Sequence, residues 1–252
     1  MKGKNIIVTG ATGAIGRALV EAAVGQCAAT VVMACRNMDR AEEIANEIKS
    51  DSTRLIPMML DLARFESVRQ FAEDFGKLGL PLDGIFNNAG AMPSKLTITT
   101  DGNEMATQVN CLAPLMLTRL LAPTFSENAF VVMTTSVTRK IFRLHGDDTA
   151  EWNKTHFSRY GTYGRSKRML TEAVPQLAEE LADKQIRVNC ADPGIVDSRM
   201  INMNRFVDPI ANIFFRPFIR SPRKGAIPAF RAAASPLSCH VFTLKREKKI
   251  KG

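Results

Sequence analysis

The chain has 252 residues, of which 45% are hydrophobic and 23% are charged, so it can bury a substantial core and has the composition of a globular protein. Its apolar runs are too short to span a membrane, and a strand-like run follows the first four residues. We therefore expect neither a transmembrane segment nor a signal peptide, and a cytoplasmic location. The five cysteines are scattered without metal-binding spacing, which indicates reduced thiols and no metal site.

Positive charge is concentrated near the C-terminus. The formal net charge is +9, and residues 245–252 contain five basic side chains against one acidic side chain. Such a run can contact nucleic acid or an anionic membrane surface. We favour a solvated, partly disordered basic tail and expect no nucleic-acid partner.

Strand-like and helical patterns alternate along the chain. Strands are predicted at residues 5–9, 29–34, 54–59, 82–87, 129–135 and 186–191, with a weaker strand at 240–244. Helices are predicted at residues 14–25, 38–49, 64–78, 103–122, 160–183 and 223–234. The central strands are apolar throughout, which is typical of a parallel sheet covered on both faces. We therefore predict a doubly wound α/β (Rossmann) fold in one domain, residues 1–244, in which residues 197–222 form a flap over the substrate.

A glycine-rich turn joins the first predicted strand to the first helix. Its sequence is Thr9-Gly10-Ala11-Thr12-Gly13-Ala14-Ile15-Gly16-Arg17. Glycines let the backbone turn sharply and approach a ligand, while the free N–H groups of a helix start attract an anion. A strand-to-helix turn can also need glycine for steric reasons alone, so this motif is interpreted together with its context.

The end of the second strand bears on the choice of cofactor. Dinucleotide folds that bind NAD usually place an acidic residue about 20 positions after the glycines. Arg36 stands there instead, and a guanidinium would attract the 2′-phosphate of NADP, with Arg17 close enough in the motif to help. We therefore predict NADP, with NAD less favoured. The alternative is that Arg36 is a solvated residue at a strand end.

Two further turns follow predicted strands. Asp61, followed by Leu62, could meet the adenine amine of a nucleotide or cap the next helix. The sequence Asn87-Asn88-Ala89-Gly90 suits a tight turn and equally suits a ligand crevice. Both pairs of alternatives remain open from these residues alone.

Tyr163 and Lys167 are four residues apart on a predicted helix, so their side chains are neighbours on one face. A cation beside a phenol lowers the phenol pKa, and a shift from about 10 to about 7 requires roughly 4 kcal/mol. A tyrosine tuned in this way can exchange a proton near neutral pH. The alternative is an ordinary exposed pair.

These motifs occur together with Asn110, Ser136 and Asp192-Pro193-Gly194. In order and spacing, over about residues 4–200, they resemble the short-chain dehydrogenase/reductase family. Three further segments are similar to its retinol-dehydrogenase and WW-domain-oxidoreductase branch: Cys35-Arg36, Asp61-Leu62-Ala63 and Asp101-Gly102-Asn103-Glu104. The chain departs from the short subclass at Ala14, where glycine is usual, and near residues 240–244, where the usual glycine-aromatic approach is missing.

The resemblance implies a role for each catalytic candidate. Tyr163 would be the general acid in carbonyl reduction and the base in alcohol oxidation, and Ser136 would bond the substrate oxygen. Lys167 would bind the nicotinamide ribose, and Asn110 would hold a water that passes protons to Lys167. The implied cofactor contacts also include Asn88, Ala89, Gly90, Pro193, Gly194, Val196 and Ser198.

The predicted function is that of an NADP-preferring oxidoreductase interconverting a carbonyl and an alcohol. Residues 91–100, 137–160 and 195–222 would line the pocket, and their apolar content indicates an apolar small-molecule substrate. Arg139, Lys140 and Arg143 in these loops could attract an acidic group or face solvent. The alternative function is that of a non-catalytic NADP-binding sensor or scaffold of the same fold. A homo-oligomer is compatible with either function.

Overall fold

The computed structural model describes residues 1–144, 149–194, 196 and 220–250. Within these ranges, eight strands form one sheet. They are β1 (Asn5–Thr9), β2 (Thr30–Cys35), β3 (Arg54–Met59), β4 (Leu82–Asn87), β5 (Phe125–Thr134), β6 (Arg187–Ala191), β7 (His240–Phe242) and β8 (Glu247–Lys249).

The strand order across the sheet is β3-β2-β1-β4-β5-β6-β7-β8. Neighbours from β3 to β7 are parallel, and β8 is antiparallel to β7. The central strands are buried on both faces, as Val8, Ile85 and Val131 show with no exposed surface. From β1 the chain therefore adds β2 and β3 on one side, and then adds β4, β5 and β6 on the other side. This is the doubly wound arrangement predicted from the sequence.

Helices cover both faces of this sheet. They are α1 (Ala14–Gly25), α2 (Met38–Ile48), α3 (Phe65–Lys77), α4 (Met105–Thr107), α5 (Ala113–Leu120), α6 (Thr149–Thr155), α7 (Arg159–Glu172), α8 (Val174–Glu180) and α9 (Pro222–Ala234). Buried residues of α1, α2 and α9 pack in one apolar layer, and those of α3, α5, α7 and α8 pack in the other. A π-helical turn, Gln108–Leu112, joins α4 to α5.

Most of the predicted strands and helices are present in the structure, and the differences between predicted and observed elements have local causes. The helix predicted at 103–122 is interrupted by the π-helical turn, and the helix predicted at 160–183 divides at Ala173 into α7 and α8, with a proline in the first turn of α8. Helix α6 was not predicted. The structure also corrects the disordered tail, because Glu247–Lys249 forms β8.

Two contacts hold β8 against the sheet. Ile250, directly after it, is buried, and its N–H donates to the Cys239 carbonyl at 2.7 Å. Glu247 accepts from Arg231 of α9 at 2.8 Å. These contacts add to the antiparallel pairing of β8 with β7 in ordering the basic run. At the opposite edge of the sheet, β3 carries Pro57.

The predicted substrate flap falls mostly on residues 197–219, which lie outside the described residues, as does Ser198. Residues 220–222 of the flap are described, and Pro222 begins α9. None of the described helices is both long enough and apolar enough to cross a bilayer.

The glycine-rich turn is where steric constraint is tightest. Gly10 has a φ of +65°, and a Cβ there would lie 3.0 Å from the Cα of Ala89. A Cβ on Gly16 would lie 2.0 Å from the Gly10 carbonyl oxygen, which is backbone and cannot rotate away. Ala14, by contrast, is exposed at the first position of α1, so that position has no need of glycine.

Two glycine substitutions in α1 should therefore have opposite effects on stability. We expect Gly16→Ala to lower the free energy of unfolding by about 2–3 kcal/mol, because the turn must open to admit the methyl group. Gly25→Ala, where nothing lies within 4 Å of the new Cβ, should raise it by about 0.5 kcal/mol. Urea denaturation of both variants measures this, and equal effects would contradict the crowding argument.

Candidate active site

The glycine-rich turn presents free backbone donors at the carboxyl edge of β1. No side chain caps α1 at Gly13, and no described residue accepts from the N–H groups of Ala14, Ile15 and Gly16. Unpaired N–H groups at a helix start, together with the helix dipole, favour a phosphate or another anion. The cradle that glycine leaves at positions 10 and 16 fits the predicted nucleotide.

The Asn87-Asn88-Ala89-Gly90 turn is joined to the glycine-rich turn through Thr9. The Thr9 hydroxyl accepts from the backbone N–H groups of both Asn88 and Ala89, each at 3.0 Å. The Asn88 amide returns a hydrogen bond to the Thr9 carbonyl at 2.9 Å. The turn therefore holds the ends of β1 and β4 together, and Gly90 follows as the chain leaves β4.

The two arginines predicted for the 2′-phosphate differ in their surroundings. Arg36 is exposed at the end of β2, and no ion pair forms at it within the described ranges. Arg17 is bound to Glu21 at 2.9 Å and to Glu47 at 2.6 Å, which ties α1 to α2. The charge of Arg17 is thus already compensated by two carboxylates, and its predicted contact with a 2′-phosphate stays a prediction.

Asp61 follows β3, but it does not cap α3. Its carboxylate accepts from the Ala63 N–H at 3.0 Å and closes a short turn. The helix α3 begins after Arg64, and the N–H of Phe65 donates to Asp101 at 2.9 Å. The helix-cap alternative is therefore wrong, and the adenine contact stays a prediction for Asp61 and its buried neighbour Leu62.

Ser136, Tyr163 and Lys167 come together beyond the end of β5. Ser136 lies close enough to the Tyr163 hydroxyl to affect its pKa, and Ser136 Oγ accepts from the Thr138 hydroxyl at 3.0 Å. Lys167 is 2% exposed, and its Nζ donates to the Thr134 carbonyl at 2.8 Å. The Nζ lies 6.0 Å from the centre of the Tyr163 ring. The predicted grouping of these three residues thus exists in the structure.

The electrostatics of this group are dominated by burial. Burial raises the pKa of Tyr163 to about 12, against the opposing effect of Ser136, and the charge of Asp192 raises it further. Burial also lowers the pKa of Lys167 to about 8. Desolvation is the largest effect on the Tyr163 pKa in the structure, and the predicted lowering, which relies on the nicotinamide ring as well as on Lys167, stays a prediction.

Asn110 lies in the π-helical turn, and its side chain is engaged on both sides. Its Oδ1 accepts from the Ala91 N–H at 2.7 Å, and its Nδ2 donates to the Ala91 carbonyl at 2.8 Å. The same Nδ2 donates to Ser166 at 3.0 Å, next to Lys167 in α7. Asn110 therefore fastens the loop after β4 to the helix that carries Tyr163, and its predicted water relay stays a prediction.

A buried polar network holds that π-helical turn in place. Glu104, fully buried, accepts from the N–H groups of Ala106 and Thr107. Gln108 accepts from Thr99 at 2.6 Å and donates to Asp101 at 2.6 Å. Residues 101–104, which resemble the retinol-dehydrogenase branch, thus support the π-helical turn that carries Asn110.

The Asp192-Pro193-Gly194 turn follows β6. Gly194 has a φ of +73°, and its N–H donates to Asp192 at 3.0 Å. Arg220 donates to the Pro193 carbonyl at 3.1 Å, and Val196 pairs with Arg220. Arg139, expected to attract an acidic group or face solvent, is buried and bound to Asp192 at 2.9 Å. No sequence signal marks this pair, because its partners are 53 residues apart.

Large apolar side chains are exposed in the loops that follow β4 and β5. Val137 is 44% exposed and Ile141 is 68% exposed, and Leu96 and Ile98 are exposed in the loop after β4. Across the described ranges, no cluster of His, Cys, Asp and Glu side chains could hold a metal ion. The arrangement offers a phenol, a hydroxyl and a buried amine next to an anion cradle, beneath an apolar rim.

The comparisons with known proteins agree with this geometry. A family model described as Enoyl-(Acyl carrier protein) reductase matches residues 10–214. Polyprenol dehydrogenase of Mus musculus is 36% identical, over 93% of this chain and 72% of that protein. Retinol dehydrogenase 14 of Homo sapiens is 31% identical, over 94% of this chain and 75% of that protein.

The chain belongs to the short-chain dehydrogenase/reductase family. A solved short-chain dehydrogenase from Burkholderia cenocepacia, in complex with NADP, has the same fold with a TM-score of 0.74 at 22% identity. That match covers 96% of each chain. The predicted family, the single doubly wound domain and the enzyme class are confirmed.

Proposed function

We propose that this short-chain dehydrogenase/reductase is an NADP-preferring oxidoreductase that interconverts an alcohol and a carbonyl, with Tyr163 as the general acid and base. The observation that carries the proposal is the grouping beyond the end of β5, where Ser136 affects the Tyr163 hydroxyl and the buried Lys167 Nζ lies 6.0 Å from the centre of the Tyr163 ring. Ser136 holds the substrate oxygen where the Tyr163 hydroxyl can give it a proton or remove one.

The cradle at the start of α1 suits the pyrophosphate of a nicotinamide dinucleotide. The N–H groups of residues 14–16 would bind it, Arg36 would bind the 2′-phosphate, and the Pro193–Gly194 turn would border the nicotinamide. When bound, the nicotinamide exchanges a hydride with the substrate carbon. The protein contributes orientation, exclusion of water and control of one proton.

The pKa values favour proton donation in the reducing direction. A Tyr163 pKa of about 12 keeps the phenol protonated at neutral pH, ready to protonate the oxygen of a carbonyl undergoing reduction. Lys167, with a pKa of about 8, is mostly charged at pH 7 and stabilises the phenolate that forms. Ser136 donates to the same oxygen as negative charge develops on it.

The rim supports an apolar substrate. Val137 and Ile141 expose large aliphatic side chains beside Ser136, where burial against a ligand would remove apolar surface from water. The relatives named for polyprenol and retinol take their names from long apolar alcohols. We infer an apolar alcohol, or the carbonyl derived from it, as the substrate class.

Replacing Tyr163 tests the proton transfer directly. We expect Tyr163→Phe to lower kcat by about 10²- to 10⁴-fold, because the ring stays and the transferable proton is lost. Tyr160→Phe is the matched control, since Tyr160 lies exposed on the same helix and should retain full activity. NADPH absorbance with a panel of apolar aldehydes and ketones measures both variants, and full turnover by Tyr163→Phe would refute the mechanism.

The Lys167 pKa predicts an alkaline limb in the rate profile. Its charged form is present below pH 8 and is lost above it, so kcat/KM for the cofactor in carbonyl reduction should fall as pH rises through about 8. Lys167→Arg keeps its charge throughout and should move this limb to higher pH. Initial rates from pH 6 to 10 measure it, and a flat wild-type profile would contradict the assignment.

Arg36 should determine cofactor choice. We expect Arg36→Met to lower kcat/KM for NADPH by about 10- to 100-fold and to leave NADH unchanged, because charge-assisted hydrogen bonds to one phosphate are lost. Arg40→Met, at the start of α2, is the control, since Arg40 is bound to Glu43 at 2.7 Å. A wild-type preference for NADH would overturn the NADP proposal.

A further inference from the structure

A buried ion pair connects the two strand ends that carry the site. Arg139 lies in the short 3-10 turn, Val137–Lys140, that follows Ser136, and Asp192 is the first residue after β6. In the sheet, Thr134 of β5 pairs with Ala191 of β6, so the two turns leave the sheet side by side. The side chains of Arg139 and Asp192 are 9% and 7% exposed.

Each partner makes a second hydrogen bond to the backbone of the site. The Nη1 of Arg139 donates to Asp192 Oδ2 at 2.9 Å and to the Ser136 carbonyl at 2.7 Å. The other carboxylate oxygen, Oδ1, accepts from the Gly194 N–H at 3.0 Å. One continuous chain of hydrogen bonds therefore runs from Ser136 to Gly194.

The turn at Gly194 is also held from its outer side. Arg220 donates to the Pro193 carbonyl, and a Cβ on Gly194 would lie 2.6 Å from the Arg220 guanidinium. The N–H of Asp192 donates to the Phe242 carbonyl at 2.8 Å. The position of Gly194 thus depends on both arginines and on the end of β7.

Stability alone does not account for a buried pair of this kind. Removing two charges from water is costly, and apolar side chains of similar size often stabilise a fold as well or better. The distinctive property of this pair is its geometry. The carboxylate accepts from donors on both sides, and one guanidinium nitrogen donates to two acceptors.

We propose that Arg139 and Asp192 are positioning residues that hold Ser136 and the Gly194 turn at a fixed separation. The proposal rests on the proposed function, in which Ser136 binds the substrate oxygen and the Gly194 turn borders the nicotinamide. The separation between these two elements sets the alignment of the reacting groups, and a displacement of 1 Å can lower a rate by about 100-fold.

Two paired substitutions separate the two links, and neither leaves a buried charge alone. Arg139→Met combined with Asp192→Asn removes the guanidinium link between the Ser136 carbonyl and Asp192, leaves the backbone bond from residue 139 to that carbonyl at 3.1 Å, and keeps an oxygen that can accept from Gly194. Arg139→Met combined with Asp192→Leu removes both links. Arg69→Met is the matched control, because Arg69 is exposed on α3 and lies outside the loops predicted to line the pocket. Each protein is compared for thermal stability, for kcat, and for the Kd of NADPH by fluorescence.

The positioning role predicts a split between turnover and binding. The Met/Asn pair should lose at least tenfold in kcat while its Kd for NADPH stays within twofold of wild type. The Met/Leu pair should lose a similar factor in kcat and also bind NADPH about tenfold more weakly, as expected for the loss of one well-placed backbone contact. Arg69→Met should match wild type in all three measurements.

The outcomes that refute the proposal are distinct from those that refute the function. If both pairs fold and keep wild-type kcat and Kd, or if their Kd values change equally, the positioning role is wrong while the proposed reaction stands. If wild type turns over no alcohol or carbonyl in the panel, the proposed reaction is wrong, and the comparison of the two Kd values still decides whether the pair holds the Gly194 turn.

Discussion

The parallel pairing of β1, β4, β5 and β6 is the constraint on which the site depends. Parallel strands in register all end at one edge, so segments far apart in sequence become neighbours there. Thr9 bonds to backbone groups 79 and 80 residues later, and Arg139 meets Asp192 53 residues later. The sheet thus brings together the anion cradle, the serine and the glycine turn before any side chain contributes specificity.

Burial then shifts the pKa values of Tyr163 and Lys167. The same loss of contact with water raises the pKa of Tyr163 and lowers that of Lys167, so both side chains are shifted towards their neutral forms. The interaction with Ser136 opposes the rise in the Tyr163 pKa, and the charges of Cys111 and Cys190 oppose the fall in the Lys167 pKa. Both pKa values therefore depend mainly on how well the surrounding residues exclude water.

Sequence patterns predicted the elements that depend on local burial and missed those that depend on distant partners. Continuous apolar runs identified the central strands, and helical spacing placed Tyr163 beside Lys167. The same reasoning could not show that Arg139 is buried, because its ion pair forms only when β5 and β6 are adjacent. It also ignored Ile250, whose burial orders a segment that charge alone would leave in solvent. Sequence spacing likewise reveals the charge of Lys167 near Tyr163 but not the desolvation that raises the Tyr163 pKa.

The two edges of the sheet have a consequence for solubility. An edge strand leaves backbone donors and acceptors unpaired, and a second copy of the chain can extend the sheet through them. On one side, Pro57 in β3 lacks the N–H that such pairing needs. On the other side, β8 is three residues long and presents Lys248 and Lys249 to solvent, where like charges repel. Both open edges are thus unfavourable templates for aggregation into a continuous intermolecular sheet.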